Sequence, residues 1–240
     1  RGAGPVRGLA QSVGVGGERG TPAANGVVAP AFAARGLGVV AVDCRHAPEW
    51  KWPAQLEVVR AGLQWIRVHA GEFHGDPDRM IVLGRSSGAQ LAMVAAYRDA
   101  SPSIKGVVSF YGPVDLAEGW RHPPTPDPLH TREILETFLG GTPAQMPERY
   151  REASPVTYAT RRLPPTLLIY GRLDHIVEAR FGHELDQTPR PAGSTSALLE
   201  IPWSEHALDP IPTGLGGQLS LPHAPASTHS PTTPPVISTP

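Results

Sequence analysis

Apolar residues in this chain follow two different rhythms, and the rhythms alternate. Val39 to Val42 is a short continuous apolar run rich in β-branched side chains, which suits a strand buried on both faces of a parallel sheet. From Pro53 the spacing changes. Leu56, Val59, Leu63 and Ile66 recur at helical intervals, with Pro53 placed in the first turn, where its missing N–H would have no partner. A Gly75-Asp76-Pro77-Asp78 turn precedes a second buried strand, Met80 to Leu83; a tight turn and an Ala-rich helix from Leu91 to Tyr97 follow. Val107 to Phe110, Leu167 to Tyr170 and Leu198 to Ile201 read as three more strands, and His183 falls in a helix between the last two. Upstream, Val27 to Ala34 predicts a short helix closed by Gly36.

Parallel neighbours need long right-handed crossovers, so strands alternating with helices predict a mostly parallel sheet covered on both faces, a three-layer α/β/α sandwich. The alternation breaks between Val114 and Pro165. A Pro-rich loop (His122 to Pro128) and a helix holding Ile134, Leu135, Phe138 and Leu139, ended by Gly140-Gly141, predict a small cap over about residues 116 to 162. Residues 1 to 25 show neither period and receive no element; the α/β domain runs from 26 to 209. From Pro210 onward the chain holds eight prolines and no Asp, Glu, Lys or Arg, which predicts a Pro/Ser/Thr-rich, mostly disordered tail.

At 240 residues the chain has the size of one large domain. Its 21 Lys and Arg balance 22 Asp and Glu, so the basic footprint of a nucleic-acid binder is missing and a small neutral or weakly polar ligand fits better. One cysteine, Cys44, builds neither an internal disulfide nor a Cys/His zinc site, and no metal ligand set is assigned. No apolar run approaches a bilayer span and no signal-peptide core is visible, so the chain reads as soluble and cytoplasmic.

Gly84-Arg85-Ser86-Ser87-Gly88 fits G-x-S-x-G directly between a strand and a helix. A sharp strand-to-helix turn needs the glycines, holds Ser86 in a strained conformation and exposes its Oγ, while the helix N-terminus favours developing negative charge. A serine hydroxyl needs a base to take its proton and a carboxylate to orient that base. In this arrangement the chain order is Ser, acid, His. Asp174 follows the Leu167 to Tyr170 strand and His206 follows the Leu198 to Ile201 strand, both at strand C-termini, where parallel sheets gather their ligands. His175 is a competitor for the base but precedes the expected strand; His183 lies in a helix, and His223 and His229 in the tail. Ser87 is read as an oxyanion donor through its backbone N–H. Trp120, Tyr111, Phe138 and Trp203 either line an acyl pocket or simply pack. Asp43-Cys44-Arg45-His46-Ala47-Pro48-Glu49 reads as a structural loop with Asp43 and Arg45 paired.

Over about residues 26 to 221 the chain resembles bacterial esterases and lipases of the α/β-hydrolase superfamily, near the hormone-sensitive-lipase-like and feruloyl-esterase-like branch. The likeness rests on Val42 to Glu49, similar to that branch's D-Y-R-x-A-P-E, on Asp76-Pro77-Asp78-Arg79, on the turn at Ser86, on Phe110 to Leu116, on Gly171 to Val177, and on Glu205 to Asp209. The resemblance implies hydrolysis of a small carboxylic ester through an acyl-enzyme, without metal or organic cofactor, with Ser86, Asp174 and His206 on the family's triad positions. That family binds the oxyanion with an H-G-G stretch after an early strand. Here Val15-Gly16-Gly17 takes that place without its histidine and with no strand assigned before it, so Gly16 and Gly17 are the remaining oxyanion candidates. The missing histidine and the unfamiliar C-terminus predict that one or both ends are truncated or read in an altered frame. A peptidase or amidase of the same fold, and a catalytically silent binding protein, remain alternative readings.

Overall fold

The computed structural model describes residues 6–12, 37–208 and 236–237, with side chains described over 37–208. Among the described residues, seven strands form one sheet in which every pairing is parallel: β1 (Val6–Ser12), β2 (Leu37–Val42), β3 (Gly75–Arg85), β4 (Ile104–Phe110), β5 (Thr166–Gly171), β6 (Ser196–Ile201) and β7 (Val236–Ile237). Their spatial order is β6-β5-β4-β3-β1-β2-β7. Helix α1 (Ala54–His69) connects β2 to β3, α2 (Ser87–Asp99) connects β3 to β4, and α6 (Arg180–Gln187) connects β5 to β6. This is the mostly parallel, helix-flanked sheet that the alternating pattern predicts, and it fits the α/β-hydrolase fold that the resemblance implies.

The chain leaves β1 toward β2 on one side and leaves β3 toward β4 on the other. Between β1 and β3 the direction of winding therefore reverses, and in open α/β sheets ligands bind at such a switch, beyond the strand C-termini. Helix α2 starts there. Its residues from Gly88 to Tyr97 are all buried, as expected of a helix apolar on every side and enclosed within the core. The α1 periodicity also holds: Leu56, Val59, Leu63 and Ile66 all face the core.

Several expectations change. Val6–Ser12, in a region given no element, is a strand with hydrogen-bonded neighbours on both sides. Its Val-Arg-Gly-Leu-Ala-Gln-Ser sequence is neither continuously apolar nor cleanly alternating; pairing between β3 and β2 supplies what local pattern does not. The 75–78 turn lies inside β3: Asp76 pairs with Arg7, then the register jumps so that Met80 pairs with Gly8. The turn chemistry survives as a bulge, where the Asp78 N–H donates to Asp76 Oδ1 at 2.9 Å. Pro53 caps α1 and stands just ahead of its first turn. In the 210–240 stretch, Val236–Ile237 pairs with Ala41 and Val42 of β2. The rest of that stretch, and the helix expected at 27–34, lie outside the described residues.

Between β4 and β5 come three α-helices, α3 (Leu116–Arg121), α4 (Thr131–Leu139) and α5 (Pro147–Ala153), and a short 3-10 turn at Pro155–Tyr158. The Asp115 carboxylate caps α3 by accepting the Glu118 N–H at 2.9 Å. Gly140 ends α4 in the left-handed conformation at φ 90°, a region open to glycine at no steric cost.

Candidate active site

The turn out of β3 has no room for a side chain at its first glycine. A Cβ on Gly84 would stand 2.2 Å from the Gly88 carbonyl oxygen, so the two ends of the five-residue motif are in backbone contact. The residue at the apex, Ser86, adopts φ 52° and ψ −126°, strained for a side-chain-bearing residue. Its N–H donates to the Phe110 carbonyl at 2.9 Å and its carbonyl accepts from Ala89 and Gln90, which fixes the apex between the end of β4 and the first turn of α2.

Asp174 follows β5 and is 4% exposed. Its Oδ1 accepts the backbone N–H groups of Ile176 and Val177, both at 2.9 Å, and its Oδ2 faces His206 Nδ1 at 2.8 Å. A buried carboxylate with both oxygens occupied has one orientation. Since an ionised carboxylate only accepts, Nδ1 carries the proton and Nε2 is left as the acceptor, 3.2 Å from Ser86 Oγ. The loop that carries His206 lies directly against the Asp174 turn. Leu173 N–H donates to the Ser204 carbonyl at 3.0 Å, and a Cβ on Gly171 would meet that same oxygen at 2.3 Å. The Tyr111 ring closes another side of the imidazole, with centroids 4.5 Å apart. The structure thus brings Ser86, Asp174 and His206 into one hydrogen-bonded line. His175 instead pairs with Glu205 and His183 with Glu200.

Ser87 opens α2, and an N–H at the first helical position has no intrahelical acceptor. Gly16 and Gly17 lie outside the described residues. The strand that precedes them is described, however: Ser12, its last residue, pairs with Gly84, so the chain leaves β1 beside the Ser86 turn.

Ser86 and Ser87 open onto a cavity of about 140 Å³. Leu116, Ile134, Leu135, Phe138, Val177 and Phe181 form its apolar wall, while Cys44, Arg45, His46 and Gln55 bring polar groups to it. Of the four aromatics considered for a pocket, Phe138 lines it. Trp120 is held by an Nε1–H bond to Glu136 at 2.8 Å, Tyr111 packs on His206, and Trp203 is 82% exposed. Asp43 and Arg45 do not pair: Asp43 accepts the Cys44 N–H at 2.9 Å, and the Arg45 guanidinium lies 4.2 Å over the Trp50 ring. Cation–π stacking thus takes the place of the expected ion pair.

Two groups of residues at this site carry no sequence signal of their own. One is Gln55, one of several polar residues in an amphipathic helix. The other is a charged cluster at the cavity rim, where Arg180 bonds Glu178, Glu118 at 3.3 Å and the His122 carbonyl at 3.1 Å, tying α3 to the start of α6. Burial alone would push the Glu118 carboxyl up, but His122, Arg180 and Arg121 outweigh it and hold the group below its usual range. Among the described residues no cluster of three or more His, Cys, Asp or Glu is arranged to hold a metal ion, and no helix is long and apolar enough to cross a membrane.

Comparison with known proteins fits this geometry. Probable carboxylic ester hydrolase LipM of Mycobacterium tuberculosis is 29% identical over 186 residues, which is 71% of this chain and 42% of LipM. Esterase LipC of the same organism is 29% identical over 192 residues, 74% of this chain and 47% of LipC. The chain thus spans less than half the length of these curated relatives. Among solved structures, EstE1, a thermophilic carboxylesterase cloned from a metagenomic library, superposes with a TM-score of 0.76 at 23% identity, covering 92% of this chain and 78% of EstE1. A hyperthermophilic esterase from Pyrobaculum calidifontis gives 0.75 at 23% identity, over 92% of this chain and 75% of that one. The BD-FAE family model matches residues 16–188, nearly three-quarters of the sequence, and the chain belongs to the BD-FAE family.

Proposed function

We propose that this protein hydrolyses carboxylic esters of small molecules by a two-step acyl transfer to water. One observation carries the reading: an unbroken line from a buried carboxylate through an imidazole to a strained serine hydroxyl at the mouth of a mainly apolar cavity. Ser86 Oγ attacks the ester carbonyl as His206 Nε2 takes its proton. The imidazolium then protonates the departing alcohol, and the neutral ring activates a water that releases the acid from the acyl-enzyme. Asp174 holds the tautomer that makes Nε2 the base and stabilises the imidazolium. The Ser87 N–H, at the positive end of α2, serves as one oxyanion donor, and Gly16 and Gly17, which follow β1 in the sequence, are the candidates for a second. The relatives' names as esterases and carboxylic ester hydrolases support ester over amide chemistry. Helices α3 to α5 act as the cap that covers the acyl site.

Turnover of p-nitrophenyl acetate and butyrate, compared with the Ser86→Ala variant, tests this. Hydrolysis abolished by the substitution, together with fluorophosphonate labelling confined to the protein carrying Ser86, is the expected result. Equal background rates with no labelling would mean a silent binding protein.

A further inference from the structure

The cavity beside Ser86 presents a mainly apolar surface, yet one wall residue holds a buried acceptor with nothing to accept among the described residues. Gln55, at the start of α1, is 4% exposed. Its carboxamide is oriented without ambiguity, because Nε2 donates to the Trp50 carbonyl at 2.6 Å and a carbonyl can only accept. Oε1 is therefore the free end, and it is buried with no hydrogen-bond partner among the described residues. Four other polar wall residues have bonds: Asp115 accepts the Glu118 N–H, Thr131 Oγ1 donates to Asp127, Gln90 Nε2 donates to the Ala153 carbonyl and His122 meets Glu118.

A buried carbonyl oxygen without a donor is costly, and binding a partner that supplies the missing donor removes the cost. A plain alkyl group in the cavity leaves the cost in place. Discrimination of this kind is strong because it penalises the analogue that lacks the hydrogen-bonding group. We propose that Gln55 is a specificity residue that accepts a hydrogen bond from a hydroxyl on the substrate, so that the site prefers hydroxyl-bearing esters to their plain alkyl equivalents. This rests on the esterase reading for the identity of the substrate, but not for the contact itself.

The test separates the two. In the Ser86→Ala protein, which binds without turnover, affinities are measured by calorimetry for ethyl 2-hydroxybutyrate and ethyl 3-hydroxybutyrate, each enantiomer separately, against ethyl butyrate. 2-Hydroxyethyl butyrate against propyl butyrate places the hydroxyl on the alcohol side. At least one hydroxylated ester is expected to bind about tenfold tighter than its plain partner, and adding Gln55→Met, close in volume but without the acceptor, is expected to bring that ratio to near one. Ratios near one throughout the Ser86→Ala set, or a preference that survives Gln55→Met, would overturn the proposal; the Ser86→Ala ratios decide alone if Gln55→Met does not fold. The same pairs are then offered to the protein carrying Ser86. Turnover with no hydroxyl preference removes the role of Gln55 and leaves the esterase standing, whereas a binding preference without turnover does the reverse.

Discussion

His206 Nε2 stands 3.2 Å from Ser86 Oγ although 120 residues of chain separate them. Their strands, β6 and β3, are not neighbours in the sheet; β5 and β4 lie between them. The contact exists because each strand ends at the same edge of a parallel sheet, and because the loop after β6 folds back over the end of β5. The close approach of the Ser204 carbonyl to Gly171 marks where that fold-back happens.

Replacing Ser86 separates function from stability. Its φ of 52° costs about 1–3 kcal/mol for a residue with a Cβ, and glycine adopts it freely. Ser86→Gly is expected to lower kcat on p-nitrophenyl butyrate by about 10⁶, leaving only background hydrolysis. It is also expected to raise the thermal midpoint, which calorimetry of both proteins would check. A less stable variant would mean that the turn is not strained.

The Asp174 carboxylate fixes which imidazole nitrogen is protonated. Asp174→Asn keeps the shape but offers an N–H2 or a weaker acceptor toward Nδ1, so the wrong tautomer is populated and Nε2 no longer serves as a base. A fall in kcat of about 10⁴ with little change in KM is expected. Steady-state kinetics on p-nitrophenyl acetate would show it, and a change confined to KM would contradict the assigned role.

Gly171→Ala introduces a methyl group where the Ser204 carbonyl already sits, 2.3 Å from the new Cβ. The His206 loop must shift outward. A displacement near 1 Å at a catalytic group costs about 10² in rate, so kcat/KM is expected to drop by about that much while Ser86 remains in place. An unchanged rate would show that the loop is free to adjust without moving the imidazole.

Glu184 responds to pH in the opposite sense to Glu118. Burial raises its carboxyl above the usual range and the nearby Asp115 and Glu118 add to that, against the opposing pull of Arg180. A carboxyl that binds its proton more tightly when folded favours the folded state at low pH, and that contribution is lost as pH rises through the raised value. At neutral pH the charged form is therefore a burden. Glu184→Gln is expected to raise the thermal midpoint at pH 7, by an amount within about 1 kcal/mol for this partly exposed site, and to make little difference near pH 4. A midpoint difference that grows on acidification would invert the assignment.

Much of this molecule was legible in one dimension. Strands buried on both faces read as continuous apolar runs, and amphipathic helices repeat every three to four residues, so the alternation that defines the sheet was visible, as was the constricted motif around Ser86. Asp174 and His206 could be named because chain order and strand ends narrow the choice to a few residues. Elements held by long-range pairing were different: β1 has no clear local pattern and forms because β3 and β2 supply its hydrogen bonds on either side. The pairing of Arg45 with Trp50, the Arg180 cluster at the rim and the unpartnered oxygen of Gln55 depend on which surfaces packing brings together. Local pattern records how a segment behaves toward water, and that sets the elements and their faces. Only the tertiary structure determines what each polar group meets after water has been excluded, because that depends on distances between residues far apart in the chain.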